Sequence, residues 1–361
     1  KRLDPTRPVT YAANENNVFL GINSVIEVRG WNYHLGPHVD DYHAEHPRQP
    51  IIGTEQASVV GTRGTYANDY KRGHVNALDV VWPGWSDTAE SWWTFFAGRP
   101  WLSGAFAWTG FDYRGEPSPC NWPSISSHFG ILDTCGFPKD SFYYYQSWWT
   151  TKPVLHLAPH WNWPGKEGQE ILVQALSNCA SVELFLNGVS QGKQPMKRLS
   201  KLFWHGVKYA PGILSAKGYD GAGRIIAETK VETAGDAVRL VLTPDRTTIN
   251  ADGEDVAVFT VAAVDSQGRV VPLAQHHVSF ALAGAGKIIG VGNGDPNCHE
   301  PDVFVGLQAG WSRSLFNGLA QIIVQSTPEA GEIKLTASAD GLAPGITIVQ
   351  TRASTPRPFV P

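Results

Sequence analysis

The sequence predicts a multidomain chain. It reads as the C-terminal half of a (β/α)8 TIM barrel over residues 1–155, then two all-β, immunoglobulin-like sandwich domains over 165–232 and 237–352. Three observations predict this. Up to about residue 150, strand-like apolar runs alternate with a helical pattern, and that alternation implies a parallel sheet. A Pro-rich connector over residues 152–165 then breaks the pattern. Beyond it, short period-2 strands recur between Gly- and Asp-rich turns, as in a sandwich.

The first barrel strand is expected at residues 7–12, after a turn at Asp4-Pro5, and the second at 25–33, ending on Asn32 and Tyr33. The third covers Pro50-Ile51-Ile52-Gly53-Thr54-Glu55. Pro50 suits a first strand residue, Ile51 and Ile52 suit burial on both faces, and Gly53 permits a close approach to the backbone. A helix is expected over 86–96, with Ser86 or Asp87 as N-cap and Trp92, Phe95 and Phe96 as its apolar face. The fourth strand, 102–108, ends on Trp108. Four strands are half of a barrel's eight, and half a barrel leaves its inner face uncovered. The chain also lacks an initiator Met, so it is read as part of a longer polypeptide.

In the middle region, strands are expected at 170–176, 181–186, 207–210 and 212–219, with Asn187-Gly188 as a strong hairpin turn. In the last region they are expected at 239–243, 256–264, 278–282, 320–325 and 333–339.

A formal charge of −4 and a pI of about 6.3 give no electrostatic reason to bind nucleic acid or an anionic membrane. No apolar stretch approaches the ~20 residues that a membrane-spanning helix needs. Neither nucleic acid nor a membrane is expected as a partner. The four cysteines (Cys120, Cys135, Cys179, Cys298) show no CxxC spacing, and the histidines form no HExxH or HxH pattern. No metal site or cofactor is therefore expected, although one disulfide could form. The first residues lack the apolar run of a signal peptide. Localisation stays open, and a periplasmic or secreted bacterial setting is compatible with a signal lying upstream. Twelve of the 14 tryptophans lie between Trp31 and Trp163, more than packing alone asks for. Flat aromatic faces serve sugar sites, which places the function in the first third of the chain.

Glu55 is the first candidate for chemistry, because a carboxylate closing a buried parallel strand lies where α/β barrels hold their active sites. Hydrolysis of a glycosidic bond with retention needs two carboxyl groups ~5–5.5 Å apart, one attacking the anomeric carbon and one protonating the leaving oxygen. An ordinary strand-end ion pair is the alternative for Glu55. Tyr33 closes the neighbouring strand, where its hydroxyl could donate to Glu55 and keep it ionised; a Tyr packed at the barrel rim is the alternative. Asn32 is a candidate sugar-hydroxyl ligand, and Trp108 a candidate floor for a sugar ring. Asp112, Asn121 and Trp122 lie in a loop long enough to be functional, with turn capping the competing role for Asp112 and Asn121. Glu15 is a second carboxylate in a polar, loop-like run.

Together these residues resemble the C-terminal part of a β-galactosidase of glycoside hydrolase family 2. The resemblance rests on Pro50-Ile51-Ile52-Gly53-Thr54-Glu55, on Ala107-Trp108-Thr109-Gly110-Phe111-Asp112-Tyr113-Arg114-Gly115-Glu116-Pro117 and on Ser127-His128-Phe129-Gly130-Ile131-Leu132-Asp133. Later motifs, His156-Leu157-Ala158-Pro159-His160-Trp161 and Val182-Glu183-Leu184-Phe185-Leu186-Asn187-Gly188, extend it across most of the chain. It implies that Glu55 is the nucleophile that forms a covalent galactosyl-enzyme, that Tyr33 orients it and that Trp108 supports the galactose ring. It also implies that the acid/base Glu, which follows an Asn at the end of the family's fourth barrel strand, lies upstream of Lys1. Asn14-Glu15 imitates that motif at the wrong place. The expected partners are a β-galactoside substrate and the N-terminal part of the same polypeptide, and an oligomer could form. The isolated piece is expected to be poorly active. The competing readings are a β-glucuronidase or β-mannosidase of the same family, and a non-catalytic carbohydrate-binding fragment. The last would need exposed aromatics beyond residue 165, where only Trp204 and Trp311 remain among the tryptophans.

Overall fold

The computed structural model describes residues 2–14, 19–304 and 310–354. Near the chain start lie three parallel strands in the spatial order β1 (Arg29–Asn32), β2 (Ile51–Ala57), β3 (Leu102–Trp108). Helix α1 (Pro37–Glu45) connects β1 to β2, and α2 (Ala89–Ala97) leads from β2 to β3. A third helix, α3 (Asp140–Trp149), follows. Pro37 opens α1, where its missing N–H costs no hydrogen bond.

The expected strand at 7–12 does not form. Pro8 has no N–H, and the N–H of Val9 donates to the Glu27 carboxylate at 2.9 Å. Among the described residues two backbone bonds tie this stretch and Ala13 to β1 and its lead-in, Val28 N–H to Val9 O at 3.2 Å and Asn32 N–H to Ala13 O at 2.8 Å. Helix α2 starts later than expected. Thr88, not Ser86 or Asp87, is its N-cap, accepting from the Ser91 N–H at 3.1 Å, while the Asp79 carboxylate takes the Ala89 N–H. Trp92 and Phe96 are buried, and the Trp92 indole donates to the Tyr145 hydroxyl of α3 at 3.0 Å. Phe96 also explains Gly53. A β-carbon at residue 53 would lie 2.7 Å from the Phe96 ring and 2.6 Å from the Ala105 β-carbon, so only glycine lets α2 and β3 close over β2.

The middle region is two small antiparallel sheets around one core. One holds β4 (Leu155–Ala158), β5 (Val173–Ser177) and β8 (Leu202–Trp204), in that order. The other runs β10-β9-β6-β7 and is built from β6 (Ser181–Leu186), β7 (Val189–Pro195), β9 (Ile213–Tyr219) and β10 (Ile225–Glu232). Asn187 and Gly188, at φ 49° and 82°, make the β6–β7 turn that their sequence predicts. Residues 207–210 carry only an isolated bridge from Lys208 to Glu170. Val207 and Tyr209 are both buried in the core, which gives the stretch its strand-like alternation without a ladder.

The last region contains β11 (Arg239–Pro244), β12 (Thr248–Ala251), β13 (Val256–Val264), β14 (His277–Gly284) and β15 (Gly286–Gly292). It continues with β16 (Trp311–Ser314), β17 (Leu319–Ser326), β18 (Gly331–Ala339) and β19 (Leu342–Ala353). The strand order is β15-β17-β13-β11-β19-β18-β14-β16, with β12 paired to β19. Phe259, Ile322, Val324 and Leu335 lie in its core.

This region docks on loops that follow β2 and β3. The buried Arg63 is the pin: its Nε donates to Asp133 at 2.6 Å, and its Nη2 donates to the carbonyls of Asn293 at 2.7 Å and Phe316 at 3.0 Å. Gln321 donates to Cys135 O at 2.6 Å, and Arg114 pairs with Asp302 at 2.6 Å.

Candidate active site

The parallel register brings the strand ends together. Asn32 lies opposite Glu55, and Ala57 opposite Trp108. Tyr33 follows β1 directly in the left-handed region, at φ 48°, and His34 repeats it at 46°. That turn holds Tyr33 to β2 twice: its N–H donates to Glu55 O at 3.0 Å and its hydroxyl donates to Glu55 Oε2 at 3.0 Å. Tyr33 is 8% exposed. Burial pushes its phenol well above the ordinary value, and the charge of Glu55 pushes the same way, so the proton stays on the phenol and the bond to the carboxylate persists.

Neighbouring groups fix the rest of this edge. Thr54 Oγ1 donates to Asn32 Oδ1 at 2.5 Å, which holds the nearly buried Asn32 carboxamide in place. Ser58, at φ 49° after Ala57 at 86°, brings its side chain beside the Tyr33 phenol, and its N–H donates to Trp108 O at 3.0 Å. The Trp108 indole donates to the Tyr113 hydroxyl at 3.2 Å, and that hydroxyl donates onward to Glu116. Thr54, Ser58 and Tyr113 were not among the expected site residues. Ser58 and Tyr113 reach the site through a turn and a hairpin, which no strand period marks.

The other expected residues are not brought to Glu55. Asp112 is buried in an ion pair with Lys139 at 2.6 Å, and its second oxygen accepts from the Gly130 N–H at 2.7 Å. Its carboxylate braces the loop and is not presented to a sugar. Asn121 and Trp122 are exposed at a hairpin tip, and Trp122 stands edge-on to His299 with ring centroids 4.7 Å apart. Glu15 lies outside the described residues.

Burial raises the Asp112 carboxyl to about 6, against the pull of Lys139. The folded chain therefore holds this proton more tightly than the unfolded one. The contribution of Asp112 to stability is largest below the ordinary value of 3.8 and falls as pH rises through about 6. Asp112→Asn keeps an acceptor for Gly130 but does not titrate. Urea unfolding between pH 4 and 7 is expected to show a shallower fall in stability for this variant than for the parent, and equal slopes would contradict the assignment.

Among the described residues no cluster of three or more His, Cys, Asp or Glu is arranged to hold a metal, and no helix is long and apolar enough to cross a membrane.

The known proteins this chain resembles are glycoside hydrolases. Residues 240–347 match the model of glycoside hydrolase family 2 C-terminal domain 5, and residues 168–227 match a domain of unknown function, DUF4982. The β-galactosidase BoGH2A of Bacteroides ovatus is 39% identical over 95% of the chain and 41% of its own length. A putative β-glucuronidase of Formosa agariphila is 33% identical over 70% of the chain and 24% of its own length. The crystal structure of a β-glycosidase from Bacteroides vulgatus superposes with a TM-score of 0.84 at 29% identity, over 97% of the chain and 47% of that protein. Residues 240–347 are thus a C-terminal domain of glycoside hydrolase family 2, and the chain spans less than half the length of each of these relatives.

Proposed function

We propose that this chain carries the nucleophile side of a retaining β-galactosidase active site. In this reading residues 1–155 supply half of a (β/α)8 barrel that the rest of a longer polypeptide completes, and the stretches 165–232 and 237–352 are sandwich domains that buttress it. The observation that carries the reading is the Tyr33–Glu55 hydrogen bond at the end of a parallel strand. It supplies what a carboxylate nucleophile needs: a fixed direction and a donor that never surrenders its proton at neutral pH.

Glu55 attacks the anomeric carbon of a terminal β-galactosyl unit as the bond to the leaving oxygen breaks, giving an α-linked glycosyl ester. Water then attacks the same carbon, the ester bond breaks, and the second inversion restores the β configuration. The acid that protonates the leaving oxygen, and later takes a proton from water, is a second carboxyl from the remainder of the polypeptide. Trp108 offers the ring face and Asn32 a side-chain amide to the sugar.

Tyr33→Phe removes one hydrogen bond to a charged group, worth about 1.5–3 kcal/mol. It is expected to lower kcat roughly 10–100-fold with little change in KM; an unchanged kcat would separate Tyr33 from catalysis.

A second reading, β-glucuronidase, is favoured by the names of several relatives, among them the Formosa agariphila protein. A glucuronide brings a carboxylate that a cationic group of the site must meet. Comparing 4-nitrophenyl β-galactoside, β-glucuronide and β-mannoside on the full-length polypeptide decides between them. The proposal expects the galactoside to have the highest kcat/KM, and a preference for the glucuronide would replace it.

A further inference from the structure

We propose that Trp122 and His299 form a distal carbohydrate subsite on the leaving-group side, so that the substrate is an oligosaccharide ending in a galactosyl unit. The inference rests on the galactosidase reading above for the position of the cleaved bond. Trp122 is a large aromatic residue left 77% exposed. It sits at the tip of a hairpin that leaves the end of β3 just beyond Trp108. The arms of this hairpin are joined by the Gly115 N–H to Ile125 O bond at 2.8 Å and the Ser127 N–H to Tyr113 O bond at 2.8 Å.

Residues 293–302 of the last region hold the tip from the other side. The Ile125 N–H donates to Pro296 O at 3.0 Å. His299 Nε2 lies 2.8 Å from Pro123 O, which makes that nitrogen the donor and fixes the imidazole edge against Trp122. The segment is itself rigid, because the fully buried Arg313 donates to Glu300 O at 3.2 Å, Pro301 O at 2.9 Å and Asp302 Oδ1 at 2.8 Å. An exposed indole braced at this level costs little further entropy on binding a ligand.

The chemistry beside it suits sugars. Pro123 and His299 line a cavity of about 760 Å³, shared by both regions, whose wall also carries Arg72, His74, Asn297 and Glu300. Asn297 ties the wall together, its Nδ2 donating to Gly73 O at 3.2 Å. A flat aromatic face beside convergent donors and acceptors of both charge signs matches a neutral pyranose, with its apolar C–H face and its rim of hydroxyls. An enzyme that removes a terminal galactosyl unit places every further sugar on the leaving-group side, and the hairpin that carries Trp122 starts from the end of β3, the strand paired with the one that bears Glu55.

The test compares lactose with a tetrasaccharide ending in the same galactosyl unit, on the full-length polypeptide. KM is expected to fall roughly tenfold with length in the parent, the scale of one aromatic contact. That difference is expected to vanish in Trp122→Ala and to survive in Trp122→Phe, which keeps a ring. A parent KM independent of length, or the same length dependence in Trp122→Ala, would overturn the subsite. If neither sugar is cleaved, the galactosidase reading fails instead. Calorimetric titration of the tetrasaccharide then reads the subsite directly: binding lost in Trp122→Ala supports it, and equal binding in both proteins overturns it.

Discussion

Glu55→Ala in the full-length polypeptide is expected to lower kcat on an aryl β-galactoside by about 10⁴-fold or more, the scale on which removing a nucleophile acts, while the fold persists. Glu55 is only half-buried, and the bond it loses is to Tyr33, whose backbone stays tied to residue 55. The chemical signature is more specific than the loss. With Glu55 shortened, added azide can take its place at the anomeric carbon and displace an activated leaving group in a single step, which inverts. The expected product is the α-galactosyl azide, read by proton NMR. A β-azide would assign Glu55 as the acid/base instead, because an azide attacking a glycosyl-enzyme inverts a second time. Activity near the parent's would remove Glu55 from the chemistry.

The second large effect is on stability. Arg63→Ala strips the counter-ion from Asp133, which is fully buried and whose other oxygen is already committed to the N–H groups of Cys135 and Phe137. Removing one partner of a buried pair leaves an uncompensated charge and typically costs about 3–5 kcal/mol. The same substitution breaks the two bonds to Asn293 O and Phe316 O that join the loop after β2 to the last region. Urea unfolding is expected to show a loss of that size together with earlier proteolytic release of the last region. A loss below about 1 kcal/mol, the range of a surface pair, would mean that Arg63 does not pin the interface.

Much of the fold and the core of the candidate site were legible in the sequence, for identifiable reasons. Glu55 stood out because an apolar run ends on it, and Gly53 because a glycine inside such a run marks a close approach, here by Phe96 and Ala105. Tyr33 followed from counting to the end of the adjacent strand. The Asn187-Gly188 turn followed from the positive φ that both residues tolerate. What was not legible depends on partners distant along the chain. Nothing near Asp112 announces that Lys139 will bury its carboxylate, so a brace looked like a sugar ligand. Residues 7–12 have strand composition, but the Glu27 side chain takes the N–H that a ladder would need. In β19, whose twelve residues pair in parallel with β11 and β12 and antiparallel with β18, local pattern names neither the partners nor their direction.

The central claim is that Glu55 becomes covalently bonded to the sugar. The most direct measurement is trapping with an activated 2-deoxy-2-fluoro-β-galactoside, whose fluorine slows both steps while its good leaving group keeps the first one the faster. The labelled full-length polypeptide is then digested and the modified peptide sequenced by mass spectrometry. The account predicts one equivalent of fluorogalactosyl ester on the peptide containing Pro50-Ile51-Ile52-Gly53-Thr54-Glu55, with Glu55 as the modified residue. A label on any other carboxylate would contradict it.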